Sequence, residues 1–265
     1  MSQVNPIAEV WGHRQLLLRM TQRDINSKYY GSAFGLLWSM ATPAVLLAAY
    51  WLVLGRLLKA SWPHVSNAQY PLLLFIGIVL HVFFSEVMGR ASALIESHRT
   101  YVKKVVFPLG ILSSMTILTA SFHLAISLAI VFFAQIVLGL GVPGTWVALP
   151  LVLLPLGMMI LGLSWTISAL CVYVRDLQQV IPLLLTVSMF VSPIFFPIDS
   201  LPQHIRILFM LNPISFPVEA VRGLVLFGTM PDWTLWGMYT LASIAVLLFG
   251  AWWFGFTKRG FPDVL

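Results

Sequence analysis

The sequence predicts an all-α protein that crosses a membrane six times. Two observations lead there. Hydrophobic residues make up 59% of the 265 and charged residues 9%, against about 25% charged in a soluble domain. So few charges do not cover a water-facing surface, and mean hydropathy is +0.92. The charges are also clustered, leaving runs free of Asp, Glu, Lys and Arg as long as the roughly 20 residues that a helix needs to cross hydrocarbon. Disorder is excluded because it requires high charge and low hydrophobicity. The single cysteine excludes a disulfide framework and a Cys-based zinc site.

The chain reads as one membrane domain over 1–265. Residues 7–30 set Ile7, Val10, Trp11, Leu17, Leu18 and Met20 against His13, Arg14, Arg19 and Arg23. This is the pattern of a helix lying in the headgroup plane, with Trp11 and Tyr29-Tyr30 as interface anchors; an ordinary cytoplasmic tail is the alternative. The first 33 residues lack a compact apolar run before a small-residue cleavage site, so no cleavable signal peptide is expected. The charge-free run Tyr29–Gly55 holds a first span near 34–55, and Ala60–Ser85 a second near 70–89. Val105–Val174 is free of charge for 70 residues, too long for one helix. Gly139-Leu-Gly-Val-Pro-Gly144 supplies a turn inside it, which divides it into spans near 109–138 and 146–174. Leu177–Ile198 holds a fifth span near 179–197, and Trp233–Thr257 a sixth near 234–256. Ile207–Val218 is short and broken by Asn212-Pro213 and Phe216-Pro217. The region 198–232 therefore reads as re-entrant or interfacial.

Six crossings put both termini on one side. With cytoplasmic ends, the inside carries Arg14, Arg19, Arg23, Lys28, Arg90, Arg99, Lys103, Lys104, Arg175, Lys258 and Arg259. The outside carries Arg56, Lys59, Arg206 and Arg222, a split of 11 to 4. The positive-inside rule then places both ends in the cytoplasm. The net charge of +6 is thereby a topology signal rather than a sign of nucleic-acid binding.

Several chemistries are absent. There is no G-x-x-x-x-G-K-[ST] phosphate cradle, so the chain should not hydrolyse ATP alone. No H-E-x-x-H and no G-x-S-x-G occur. Glu86 and Asp176 are the acids in or near the spans, and His81 and His123 the other titratable candidates. A proton-coupled carrier usually needs more. No internal repeat with matching broken helices argues for a secondary transporter. Small and weakly polar residues form stripes at helical spacing: Gly77, His81, Ser85 and Gly89; Ser113, Thr116, Ala120, His123 and Ser127; Gly157, Ser164, Ser168 and Cys171. Such faces serve close helix packing, or else line a wet path. Aromatic residues are the other stripe: Phe34, Trp38 and Tyr50 on the first span, Phe83 and Phe84 on the second, Phe190, Phe195 and Phe196 on the fifth. They face lipid or neighbouring helices, or they line a pore in which rings stack on sugar faces.

Five segments carry a resemblance. Arg23-Asp-Ile-Asn-Ser-Lys-Tyr-Tyr30, with Leu36-Leu-Trp38 and Pro43, resembles the junction of interface helix and first span in ABC-2-type polysaccharide export permeases. Glu96-Ser-His-Arg-Thr-Tyr-Val-Lys-Lys-Val-Val-Phe-Pro108 resembles their cytoplasmic loop between spans two and three, and Val174-Arg-Asp-Leu177 their loop between spans four and five. Ser192-Pro-Ile-Phe-Phe-Pro-Ile-Asp-Ser-Leu-Pro202 and Leu211-Asn-Pro-Ile214 resemble their periplasmic gate segment. The likeness runs from about residue 10 to residue 260, and its specificity lies in the order and spacing of the segments. At Leu80, Val82 and Met189, aliphatic residues stand where the family typically carries rings.

The resemblance implies a homodimer in the bacterial inner membrane, working with two cytoplasmic ATPase subunits. ATP and Mg would belong to the ATPase, with no cofactor or metal on this chain. The cargo implied is an undecaprenyl-pyrophosphate-linked polysaccharide, most closely an O-antigen, otherwise a capsule or teichoic-acid polymer. The path would run between the two permease copies, lined by rings among Phe34, Trp38, Tyr50, Phe83, Phe84, Phe190, Phe195 and Phe196, with the first and fifth spans as a lateral gate. The loop at 91–107 would hold a coupling helix made of Ser97, His98, Arg99, Thr100, Tyr101, Val102, Lys103 and Lys104. Tyr101 and Val102 would be its buried anchor on the ATPase, and Arg99, Lys103 and Lys104 its rim. Arg23, Lys28, Arg175 and Asp176 would form a cytoplasmic gate. The rival readings are an ABC-2 permease for a drug or another lipid, and a membrane enzyme acting on lipid-linked sugars. The latter needs a catalytic cluster at one interface, and the sequence offers none.

Overall fold

The computed structural model describes residues 6–32, 34–57, 62, 65–102 and 107–264. Among them the structure is helical, with no strand beyond an isolated bridge between Trp62 and Val65. The chain begins with α1 (Pro6–Gly12) and α2 (Arg14–Tyr29). α2 buries only Leu17 and Thr21, while Trp11, Leu18 and Tyr30 stay exposed beside Arg14, Arg19 and Arg23. Glu9 ties this pair down. It is buried, accepts the Gly110 amide at 2.9 Å and pairs with Lys258, so one carboxylate joins α1 to two later helices.

α3 (Leu37–Tyr50) contains Pro43 and widens into a π-helical stretch, Trp51–Leu57. α4 (Tyr70–Ser97) starts with Pro71, where the missing N–H costs nothing. It is the centre of the core, its apolar window 72% buried. After the short α5 (Arg99–Val102) come α6 (Gly110–Val137) and α7 (Leu149–Tyr173). Gly139 and Gly141 between them have φ of 66° and 74°, which only glycine adopts cheaply. α8 (Leu177–Phe190), α9 (Gln203–Met210) and α10 (Ser215–Arg222) follow. α11 (Trp233–Thr257) is capped by Asp232, whose side chain accepts from the amides of Thr234 and Leu235. The chain then closes with α12 (Phe261–Val264).

α7 and α11 cross with backbones in contact. A Cβ on Gly250 would fall inside the Gly162 carbonyl, and one on Gly162 would strike the Val246 carbonyl. Such glycine contacts are how membrane helices gain packing without a hydrophobic drive.

Length and composition alone do not establish all six expected spans. Among the described residues four helices are long and apolar enough to cross: α4, α6, α7 with the turn before it, and α11. Counting the α9–α10 pair as one broken span makes five. Of the other two expected spans, the first is helical without a break from Leu37 through the π-helical stretch to Leu57, whereas α8 has 14 residues, about 21 Å of helix against roughly 30 Å of hydrocarbon. Pro193 explains α8: apolar residues continue past it, but proline removes the amide a continuing helix needs. α9 and the helix from Ser215 onward meet at 91° across Asn212-Pro213, so this apolar stretch is sharply bent.

Candidate transport path and coupling face

A groove of about 280 Å³ lies between α3, α4 and α6. Trp38, Thr42 and Leu46 form one wall, Val79, Val82 and Phe83 the other. Val82 is 53% exposed although both its neighbours are buried, so it marks the one open face of α4 at this level. The groove ends in a polar cluster. Lys28 Nζ donates to Glu86 at 3.3 Å, His123 Nδ1 lies 3.1 Å from the other carboxylate oxygen, and the Tyr29 hydroxyl is 3.2 Å from His123 Nε2. Among the expected path rings, Trp38 and Phe83 line the groove. Phe34 meets Trp38 edge-on at 5.8 Å, and both are exposed. Tyr50 is half-buried against the core, and Phe84 lies within it.

A second aromatic group sits where α8 breaks. Phe190, 63% exposed, stacks on Phe195 with centroids 6.1 Å apart, and Phe196 meets Phe209 at 5.3 Å. Two polar residues hold the break. Asn212 donates to the carbonyls of Ser188 and Val191 at 3.1 and 3.2 Å, and to Ser192 Oγ at 2.9 Å. Arg222 is 4% exposed and donates to the carbonyls of Leu73 and Ile194 at 2.9 Å, and to that of Pro193. Its guanidinium lies 5.3 Å from the Trp62 ring. Gly77 makes room for it: a Cβ there would lie 2.7 Å from the guanidinium. Sequence reasoning counted Arg222 only as an external charge. The available signal was a cation set between the apolar, proline-broken stretch at 207–218 and the apolar run that follows at 223–227.

The polar stripes divide: Ala120, His123 and Ser127 line the groove, while others join helices or bond within their own helix. His81 Nε2 lies 3.1 Å from Ser188 Oγ and His81 Nδ1 3.2 Å from Ser85 Oγ, joining α4 to α8. Thr116, Ser127 and Ser168 donate to carbonyls of their own helices.

At the opposite end α5 caps α4. Tyr101 is stacked between His98 at 5.7 Å and Phe107 at 4.5 Å. Val102 is 6% exposed and clusters with Leu94, Ile95, Leu112 and Trp165. The expectation that Val102 anchors a partner is therefore corrected: its side chain is already consumed by this chain's own core. The outward face consists of Ser97, Arg99 and Thr100. Lys103 and Lys104 lie outside the described residues. Arg175 and Asp176, between α7 and α8, are exposed, as is Arg23 on α2. Polar clasps also hold this end. Asp24 takes both 2.7 Å bonds from Arg90, Glu96 accepts from Gln178 at 2.7 Å, and Arg99 pairs with Glu96 at 2.6 Å.

The sequence has counterparts among known proteins. The family model described as ABC-2 type transporter matches residues 15–226. The O-antigen export system permease protein RfbA of Myxococcus xanthus is 26% identical over 252 residues, 92% of each chain. Its namesake in Klebsiella pneumoniae is 22% identical over 216 residues, covering 81% of this chain and 82% of its own. The polysialic acid transport protein KpsM of Escherichia coli is 22% identical over 242 residues, covering 86% and 88%. With most of its length inside the family model and several helices able to cross a bilayer, the chain is a multi-pass membrane protein of the ABC-2 type transporter family.

Proposed function

We propose that this chain is the permease subunit of an ATP-driven exporter that moves a lipid-linked polysaccharide, most closely an O-antigen, across a bacterial inner membrane. The observation that carries the reading is likeness over nine-tenths of the length to a permease named for O-antigen export. The absence of a phosphate cradle fits it, because a permease takes its energy from a separate ATPase. Both termini are assigned to the cytoplasm on the distribution of basic residues.

The working unit is a homodimer with two ATPase subunits. α3 buries only Ser39 and Leu47, and α8 only Ile181. A second copy facing these helices would cover them and enclose a path walled by Phe34, Trp38, Phe190 and Phe195. The exposed face of α5 is the docking surface for the ATPase. Deletion with complementation tests the reading. Loss of this chain should abolish surface polysaccharide and leave lipid-linked polymer on the cytoplasmic side. Normal surface polymer, with altered sensitivity to a drug instead, would assign the chain to the drug-exporting branch.

A further inference from the structure

Two salt bridges join α2 to α4 in a ladder of alternating charge. Asp24 takes both bonds from Arg90. Four residues later Lys28 reaches Glu86, four residues earlier on α4. A spacing of four keeps both rungs on one face of each helix. The polarity fixes the register: a slip by one turn would set Asp24 against Glu86 or Lys28 against Arg90, like charge against like. All four side chains are partly solvent-exposed. Such pairs add little to stability, so their value lies in position.

The same helix carries the next clasp. Glu96, at the end of α4, accepts from Gln178 in the first turn of α8 and pairs with Arg99 of α5. Between residues 86 and 96, α4 thus holds α2 twice and α8 once, and then turns into α5. α3 is the next helix after α2 in the chain, joined to it by residues 30–36.

We propose that the cytoplasmic end of α4 is a lever that moves both walls of the path together. The Asp24–Arg90 and Lys28–Glu86 rungs pass a displacement of α5 through α2 to α3, and Glu96–Gln178 passes it to α8. These six are positioning residues. The proposal rests on the reading of α5 as the ATPase-docking element and names the side chains that carry its motion onward.

The test uses the complete permease–ATPase complex in proteoliposomes, with ATP hydrolysis and polymer export measured together. Asp24→Arg and Arg90→Asp should each leave hydrolysis running while export falls about tenfold, because like charges now face each other. The double reversal Asp24→Arg/Arg90→Asp should restore most of the export. Single reversals that export as wild type, or a double reversal as poor as the singles, would overturn the lever. Should a reversal fail to accumulate in the membrane, Asp24→Asn carries the same test, since it removes the charge with almost no change of shape. A second readout is independent of the cargo. The distance between spin labels at Thr100 and Ala44 should change with nucleotide in the wild type and the double reversal, and stay fixed in the singles. A wild-type complex that shows this movement but exports no polysaccharide would sink the cargo reading and leave the lever standing.

Discussion

Replacing Arg222 by Met removes a guanidinium and keeps most of the side-chain volume. Three carbonyls lose their donor: Leu73 on α4, and Pro193 and Ile194 beyond the end of α8. In water, bonds from a charged donor would be worth about 1.5–3 kcal/mol each. Between membrane helices the measured worth is lower, about 0.6 and at most about 1.7 kcal/mol, because the unfolded state also finds partners. Three such bonds bracket the loss at roughly 2–5 kcal/mol, less whatever is regained by no longer burying a charge. Arg222→Met should therefore unfold earlier in a detergent titration, and the segment at 198–211 should become open to protease while α7 and α11 stay protected. Gly77→Ala reaches the same point from the other side, since its Cβ would press on the guanidinium at 2.7 Å. It should cost less in the Arg222→Met background than alone, the non-additivity expected of groups in contact. An Arg222→Met protein within about 0.5 kcal/mol of wild type, the range of an ordinary surface change, and with an unchanged cleavage pattern, would refute the claim that this residue pins the gate segment.

Three further outcomes follow from the packing. Gly250→Leu should force α7 and α11 apart and abolish monodisperse protein in detergent, whereas Gly157→Leu, whose Cβ meets nothing within 4 Å, should be tolerated. Val102→Ser should lower stability by about 1–3 kcal/mol without weakening ATPase co-purification of the folded fraction, while Arg99→Glu on the exposed face should do the reverse. In a Cys171→Ser background, an impermeant reagent should label cysteines at 66, 141 and 203 but not at 98; labelling at 98 in intact cells would invert the topology.

Part of this architecture was legible in residue order because it depends on local chemistry. The long charge-free run divides where Gly139 and Gly141 take left-handed backbone, and α4 and α11 are apolar enough to be read directly. Apolar length misleads at α8, since hydropathy passes smoothly across Pro193 while the hydrogen-bond ladder stops before it. Arg222 was hidden for a different reason: its partners lie 28 to 149 positions away, and only tertiary folding gathers those carbonyls. Val102 belongs to a polar loop by sequence and to the core by contact. The spacing of Asp24 and Lys28, and of Glu86 and Arg90, is visible in each segment alone; that the two segments meet is not.

The glycine crossing of α7 and α11 and the thin burial of α3 and α8 have a joint implication for how such a chain diversifies. Where two backbones touch, any side chain at Gly162 or Gly250 is a collision, so those sites tolerate no variation. Along α3 and α8 most side chains are exposed or only partly buried, and substitution at exposed sites usually shifts folding by no more than about 0.5 kcal/mol. The residues that hold the scaffold together are thus largely separate from those that α3 and α8 present outward, and the outward set can vary while the frame stays constant.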